Sequence, residues 1–187
     1  MKFNSLDLGG PTEILPSKFG DDRGYFSETF RADMFCDHVG AYQFVQDNQS
    51  LSTVAGTIRG IHFQSHPFAQ GKLIRCLAGS LFDVAVDLRA DSVNYGKWTA
   101  VTLSSQTGNQ LWIPPGFGHG LCTLEPNTIV SYKVTAYYSK ADDLGIAWDD
   151  PDIGIVWPDI SDAGSLSPKD RSQPAFADLA PLFSLKD

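Results

Sequence analysis

Cysteine and methionine are scarce in this chain, at three and two among 187 residues. Cys36, Cys76 and Cys122 are odd in number, far apart and set in apolar surroundings. That excludes a disulfide scaffold and reads as three small buried hydrophobes rather than a metal or redox centre. Basic residues are also short, with 14 Lys and Arg against 22 Asp and Glu, a formal charge of −8. A nucleic-acid binder normally shows a basic stripe. Any anionic ligand must instead be held by a local cluster of Arg and Lys. No apolar run approaches the roughly 18 residues of a membrane span, and residues 1–7 lack the apolar core of a secretory signal. A soluble, cytoplasmic protein without membrane or nucleic-acid partners is expected. No serine or cysteine nucleophile with a partner base is evident, nor is a metal cluster at standard spacing.

What is present is globular: 42% hydrophobic residues with 12% aromatics, enough for one domain over residues 1–187 with a substantial core. Strand signals dominate. Residues 73–77 and 81–88 flank Ala78-Gly79-Ser80 and predict a hairpin. The second run alternates, with Phe82, Val84, Val86 and Leu88 on one face and Asp83, Ala85, Asp87 and Arg89 on the other. Residues 98–103, 110–113 and 128–138 are further strands, separated by turn-rich stretches. Short strands with Gly and Pro punctuation predict an all-β sandwich or barrel, with a jelly roll carrying a small-molecule site at its mouth as the expected form. Helix is confined to residues 30–36 and 174–182, and the chain from Ser165 onward is expected to wrap the sheets irregularly.

The chemistry sits in Arg59-Gly60-Ile61-His62-Phe63-Gln64, Gln70-Gly71-Lys72 and Ser131-Tyr132-Lys133. His62 shares a strand face with Gly60 and Gln64. A histidine, a lysine and a tyrosine can each handle a proton or a developing negative charge, which points to proton abstraction beside a carbonyl. A lone histidine is more often structural, and His66 four residues on is too distant along a strand to share a metal ion. Tyr132 shares its face with Val130 and Val134, so it is expected to point inward. Lys72 serves an enolate oxygen only if it too points inward, and Asp170 matters only if the C-terminal extension folds back onto His62. Arg23 and Arg59, each beside a glycine, could clamp a diphosphate. Arg59 and His62 have opposite strand parity, so they serve one site only if Gly60 forms a bulge or Arg59 opens the strand.

The chain resembles the dTDP-4-dehydrorhamnose 3,5-epimerase family over nearly its whole length. The resemblance rests on Asp22-Arg23-Gly24-Tyr25-Phe26 with Glu28, Gln46-Asp47-Asn48, the Arg59–Gln64 and Gln70-Gly71-Lys72-Leu73 segments and Asp83-Val84-Ala85-Val86-Asp87-Leu88-Arg89. It continues through Gly96-Lys97-Trp98, Trp112-Ile113-Pro114, Gly116-Phe117, His119-Gly120, Tyr132-Lys133 and Trp148-Asp149-Asp150-Pro151. It implies a cupin-type jelly roll acting as a homodimer on a dTDP-sugar, with no metal and no organic cofactor. His62 would be the general base, Tyr132 the general acid and Lys72 the enolate stabiliser, with Asp170 paired to His62. Arg23, Phe26, Glu28, Gln46, Asn48, Arg59, His119, Asp143 and Lys169 would line the nucleotide-sugar site. Gly118 and Leu121 stand where larger residues are expected, and Asp143 where glutamate is common. Competing readings are an epimerase acting at carbon 3 or 5 alone, a metal-dependent cupin enzyme and a non-catalytic sugar-binding cupin.

Overall fold

Burial along the strands decides the architecture, because β-type segments that alternate or run wholly apolar must cover one or both faces. A computed structural model describes residues 1–186. Its strands are β1 (Lys2–Ser5), β2 (Thr12–Leu15), β3 (Lys18–Asp21), β4 (Gly24–Ser27), β5 (Gln46–Ser52), β6 (Ile58–Gln64) and β7 (Lys72–Ala78). They continue with β8 (Ser80–Asp87), β9 (Trp98–Ser104), β10 (Gln110–Ile113), β11 (Phe117–Thr123), β12 (Thr128–Val134) and β13 (Asp143–Gly145). The helices are α1 (Ala32–His38) and a single turn, α2 (Pro168–Arg171). Six strands form one sheet in the order β1-β2-β10-β7-β12-β5, and five form another in the order β13-β6-β11-β8-β9. Among the described residues, β3 and β4 pair only with each other. The fold is the all-β, cupin-type jelly roll.

Between the two large sheets lies a core containing Ile74, Leu81, Ala85, Leu103, Leu111, Phe117, Leu121 and Val130. Each fully buried Leu, Ile, Val or Phe among them contributes about 1.5–3 kcal/mol of apolar transfer energy, so this layer holds the sandwich together. A second core covers the outer face of the five-stranded sheet. There Ile61, Phe63, Val84 and Val86 meet Ile146, Ile153 and Phe183 from the chain beyond β13. A third sits on the outer face of the six-stranded sheet, where Phe35 of α1 packs with Ile14, Leu73 and Trp112. The two faces of β8 separate as its alternation predicts. Val84 and Val86 join the outer core, whereas the face carrying Asp83 and Ala85 looks into the space between the sheets.

The hairpin predicted from residues 73–77 and 81–88 does not form. β7 lies in the six-stranded sheet and β8 in the five-stranded one, and the chain changes sheet at Gly79, whose φ is +75°. Both strands are largely buried, so each is worth more between two strands of its own sheet than beside its sequence neighbour. β8 pairs with β11 and β9, and β7 with β10 and β12. The strand predicted over 128–138 ends at Val134, where the Gly71 N–H turns to the Thr135 hydroxyl at 2.8 Å. Helix over 174–182 is reduced to a 3-10 turn at Phe176–Asp178, because Phe176, Leu179 and Leu182 extend along the outer core instead. The helix at 30–36 lies two residues further on.

Gly60 decides how β6 presents its side chains. His119 pairs with His62 but Leu121 pairs with Arg59, so Gly120 alone faces both Gly60 and Ile61. This is the bulge that two residues of opposite parity require. Gly60 adopts φ +118°, and a Cβ there would lie 2.6 Å from Gly120 Cα and 2.7 Å from the His119 carbonyl oxygen. Gly60→Ala is therefore expected to destabilise the protein by about 2–4 kcal/mol. Thermal melting checks this, and an unchanged melting temperature would show that the bulge tolerates a side chain.

Candidate active site

Five elements converge at one end of the space between the sheets. β6 and β11 bring His62 and His119 from the five-stranded sheet, β7 and β12 bring Lys72 and Tyr132 from the six-stranded sheet, and α2 closes over them with Asp170. Two adjoining hollows result, of about 290 and 220 Å3, and His62, Lys72 and Tyr132 line both. Gln46, Asn48, Asp143 and Lys169 are among the other residues of the first hollow. Arg59, His119 and Asp170 are among those of the second. Arg59 and His62 thus share a wall despite their parity.

The polar groups are held by specific partners. His62 Nε2 lies 2.5 Å from Asp170 Oδ1. Asp170 is only 4% exposed. Burial alone would raise its pKa, but hydrogen bonds from His62 and Ser167 outweigh it and hold the carboxyl below its ordinary value. An ionised carboxylate only accepts, so Nε2 carries the hydrogen and Nδ1 keeps the free lone pair. Lys72 is buried, its Nζ donating to the His62 carbonyl oxygen at 3.2 Å. Desolvation pushes its pKa down to about 8, with Asp143 and Asp83 opposing the shift, so the ammonium persists at neutral pH. Gly71 precedes it because a Cβ there would strike the Trp112 ring at 2.3 Å.

Tyr132 is half-buried against the inter-sheet core. Burial raises its pKa, so the phenol stays protonated. His119 Nε2 lies 2.7 Å from Asp83 Oδ1, a wholly buried carboxylate. Desolvation lowers the His119 pKa, with Asp83 opposing it. At the mouth, Lys169 donates to Asp143 at 2.5 Å and the Tyr138 hydroxyl donates to the same oxygen at 3.1 Å. Gln46 donates to Asn48 at 2.7 Å, and Arg59 Nε donates to the Ser52 hydroxyl at 3.3 Å.

Arg23, Phe26 and Glu28 are not brought to these hollows within the chain. They lie on or just beyond the separate β3–β4 ribbon, where Arg23 pairs with Asp21 at 2.5 Å and Phe26 is 66% exposed. Gly118 lies outside the site, its missing side chain making room for Ile61 on the outer face, whereas Leu121 lines the inner hollow. His66 packs its ring against Phe183. Among the described residues, no group of three or more His, Cys, Asp or Glu is placed to hold a metal ion.

The sequence profile of the dTDP-4-dehydrorhamnose 3,5-epimerase family matches residues 5–178. An enzyme of that name from Sinorhizobium fredii is 54% identical over 183 residues, covering 98% of this chain and 93% of its own. The chain belongs to this family. Among solved structures, the family enzyme of Bacillus anthracis, crystallised with TDP and PPi bound, aligns with a TM-score of 0.89 at 44% identity, covering 93% of this chain and 98% of that one. The dTDP-6-deoxy-D-glucose-3,5-epimerase of Legionella pneumophila, in complex with dTDP-4-keto-L-rhamnose, aligns with a TM-score of 0.92 at 37% identity, covering 100% and 99%.

Three further residues of the site, Tyr138, Ser167 and the His119 partner Asp83, carry weaker marks in the sequence. Tyr138 was absorbed into an over-long strand, yet it turns to the mouth once β12 ends. Asp83 gave a signal: a carboxylate inside a strand buried on both faces needs a partner, and His119 supplies it. Ser167 gave another, since Ser-Pro-Lys-Asp has the cap, first-turn proline and acidic third residue that start a helix.

The depressed Asp170 pKa has a stability consequence. A carboxyl held lower in the folded than in the unfolded state stabilises fully above its unfolded value, near 3.8, and loses that contribution as pH falls through the folded value. Asp170→Asn is therefore expected to cost about 1–2 kcal/mol at pH 7, with the gap from wild type closing below pH 3.8. Parallel thermal melts across that range measure it, and a gap independent of pH would contradict the assignment.

Proposed function

We propose that this protein inverts carbons 3 and 5 of dTDP-4-dehydro-6-deoxy-D-glucose, giving dTDP-4-dehydro-L-rhamnose, by proton transfer through an enolate. The observation that carries the reading is that an imidazole and a phenol enter the same hollows from opposing sheets, with a buried ammonium beside them. Inversion requires a base on one side of a ring and an acid on the other, and two facing sheets supply that arrangement. The relatives' printed activities, and the nucleotide-sugar and TDP ligands of the two solved structures, support the same substrate.

The 4-keto group acidifies the hydrogens on its neighbouring carbons. His62 removes one through Nδ1, breaking the C–H bond and leaving its electron pair in the enolate. Lys72 holds the enolate oxygen with a charge-assisted hydrogen bond, an interaction worth about 3–4 kcal/mol in a preorganised site. Tyr132 then gives its hydroxyl proton to the other face of the carbon, and exchange with solvent resets imidazolium and phenolate. Asp170 keeps Nε2 protonated, so that the lone pair stays on Nδ1. Arg59, Lys169 and His119 face the diphosphate and sugar, while Gln46, Asn48 and Asp143 line the outer hollow.

The remaining residues come from a second copy of the chain. The β3–β4 ribbon exposes Phe19 and Phe26, paired across its strands, at 63% and 66%, with Tyr25 at 62% on its other face, large apolar side chains that call for a partner. In a homodimer the ribbon delivers Arg23, Phe26 and Glu28 to the other subunit's site.

The decisive experiment follows hydrogen exchange at carbons 3 and 5 in deuterated water by NMR, with dTDP-4-dehydro-6-deoxy-D-glucose as substrate. Wild type is expected to exchange and invert both centres, and His62→Ala to lose about 10²–10⁴-fold in rate. Undiminished exchange in His62→Ala sinks the base assignment. The shared site is tested by mixing Arg23→Ala and His62→Ala subunits under conditions that reassort dimers. Activity is expected to reappear, because one of the two sites in each mixed dimer then carries neither change. A mixture no more active than its components argues against exchange of the ribbon.

A further inference from the structure

We propose that Ser167 is a positioning residue for the His62–Asp170 pair: its hydroxyl fixes the Asp170 carboxylate and so holds the His62 imidazole with Nδ1 free for the sugar. The proposal rests on the epimerase reading of this site. Ser167 begins α2 and makes two hydrogen bonds to one residue. Its oxygen accepts from the Asp170 backbone N–H at 3.1 Å, and its hydroxyl lies 2.9 Å from Asp170 Oδ2. The other carboxylate oxygen, Oδ1, faces His62.

Donor chemistry leaves these directions no freedom. A backbone N–H can only donate, so the serine oxygen accepts there. An ionised carboxylate can only accept, so the single serine proton points at Oδ2. The first bond is an ordinary helix cap. The second is one that a cap does not need, and it ties down the oxygen that His62 leaves over. A carboxylate bonded at both oxygens cannot turn about its Cβ–Cγ bond without breaking one of them. With Oδ2 released in so buried a place, the carboxylate can swing and carry the imidazole with it. The hydroxyl also favours the ionised carboxyl, acting with His62 against burial. Ser167 lines the inner hollow beside Arg59 and His62, so this brace stands at the chemistry.

Three variants separate the brace from the cap. Ser167→Ala removes both bonds. Ser167→Thr keeps both. Ser167→Asp keeps a cap acceptor for the Asp170 N–H but has no proton to give at neutral pH. In Ser167→Ala, kcat is expected to fall about 10- to 100-fold with KM within about twofold, since the hydroxyl orients the base and not the nucleotide. The acid limb of the kcat profile, set by protonation of the base, is expected to move to higher pH, because an Asp170 relieved of the serine proton accepts more strongly from the His62 ring. The 13C-detected titration of the Asp170 carboxyl should move the same way. Ser167→Thr restores all three quantities and Ser167→Asp restores none. An unchanged acid limb and Asp170 titration in Ser167→Ala overturn the proposal, as does a Ser167→Asp variant as active as Ser167→Thr. If Ser167→Ala does not fold, the threonine and aspartate variants decide alone. A wild type that neither exchanges nor inverts the sugar sinks the epimerase reading instead, and the Asp170 titration still judges the brace.

Discussion

Lys72, Asp83, His119 and Asp170 are all buried in the space between two β-sheets, and a charge is tolerated there only where another group answers it. Much of the site follows from that constraint. His119 is matched by Asp83, Asp170 by His62 and Ser167, and Lys72 by a backbone carbonyl with Asp143 and Asp83 acting at longer range. The ammonium loses part of its proton affinity through burial but keeps enough to remain charged at neutral pH. The same desolvation that makes the site costly to form also strengthens each electrostatic contact inside it.

The sandwich can bear this cost because its apolar stabilisation is spread over several cores. One core lies between the sheets, and the others cover their outer faces. The mouth of the inter-sheet space is therefore free to be polar. The chain beyond β13 links two of these roles. Phe183 and its neighbours seal the outer face of the five-stranded sheet, and α2, on the same stretch, carries Asp170 and Lys169 over the hollow. The same stretch of chain closes the outer core and completes the site, placing a carboxylate against a histidine 108 residues earlier in the chain.

Side-chain parity was legible wherever a strand was regular. His62 and Gln64 face the hollow and Ile61 and Phe63 the outer core, as alternation requires. Tyr132 turns inward with Val130 and Val134 for the same reason. The conditional bulge at Gly60 was legible too, because two residues of opposite parity cannot line one wall without an extra residue between them. Partner choice between strands was not legible. Residues 73–88 look like a hairpin by local turn chemistry, yet Gly79 is a corner between sheets. Ten of the thirteen expected site residues gather in one chain, and Arg23, Phe26 and Glu28 stand apart on a ribbon.

The sequence by itself determined the β-class, the inward and outward faces of its strands, the kinds of proton-handling groups available and, through ordered motifs, the family. Those properties depend on periodicity and residue chemistry, which are local. Only the tertiary structure decided which sheet each strand joins, that the imidazole and phenol face each other from opposing layers, and that Asp170 and Ser167 return to the histidine. Those outcomes depend on long-range burial, which rewards contacts between segments distant in sequence and leaves no mark in any short window of it.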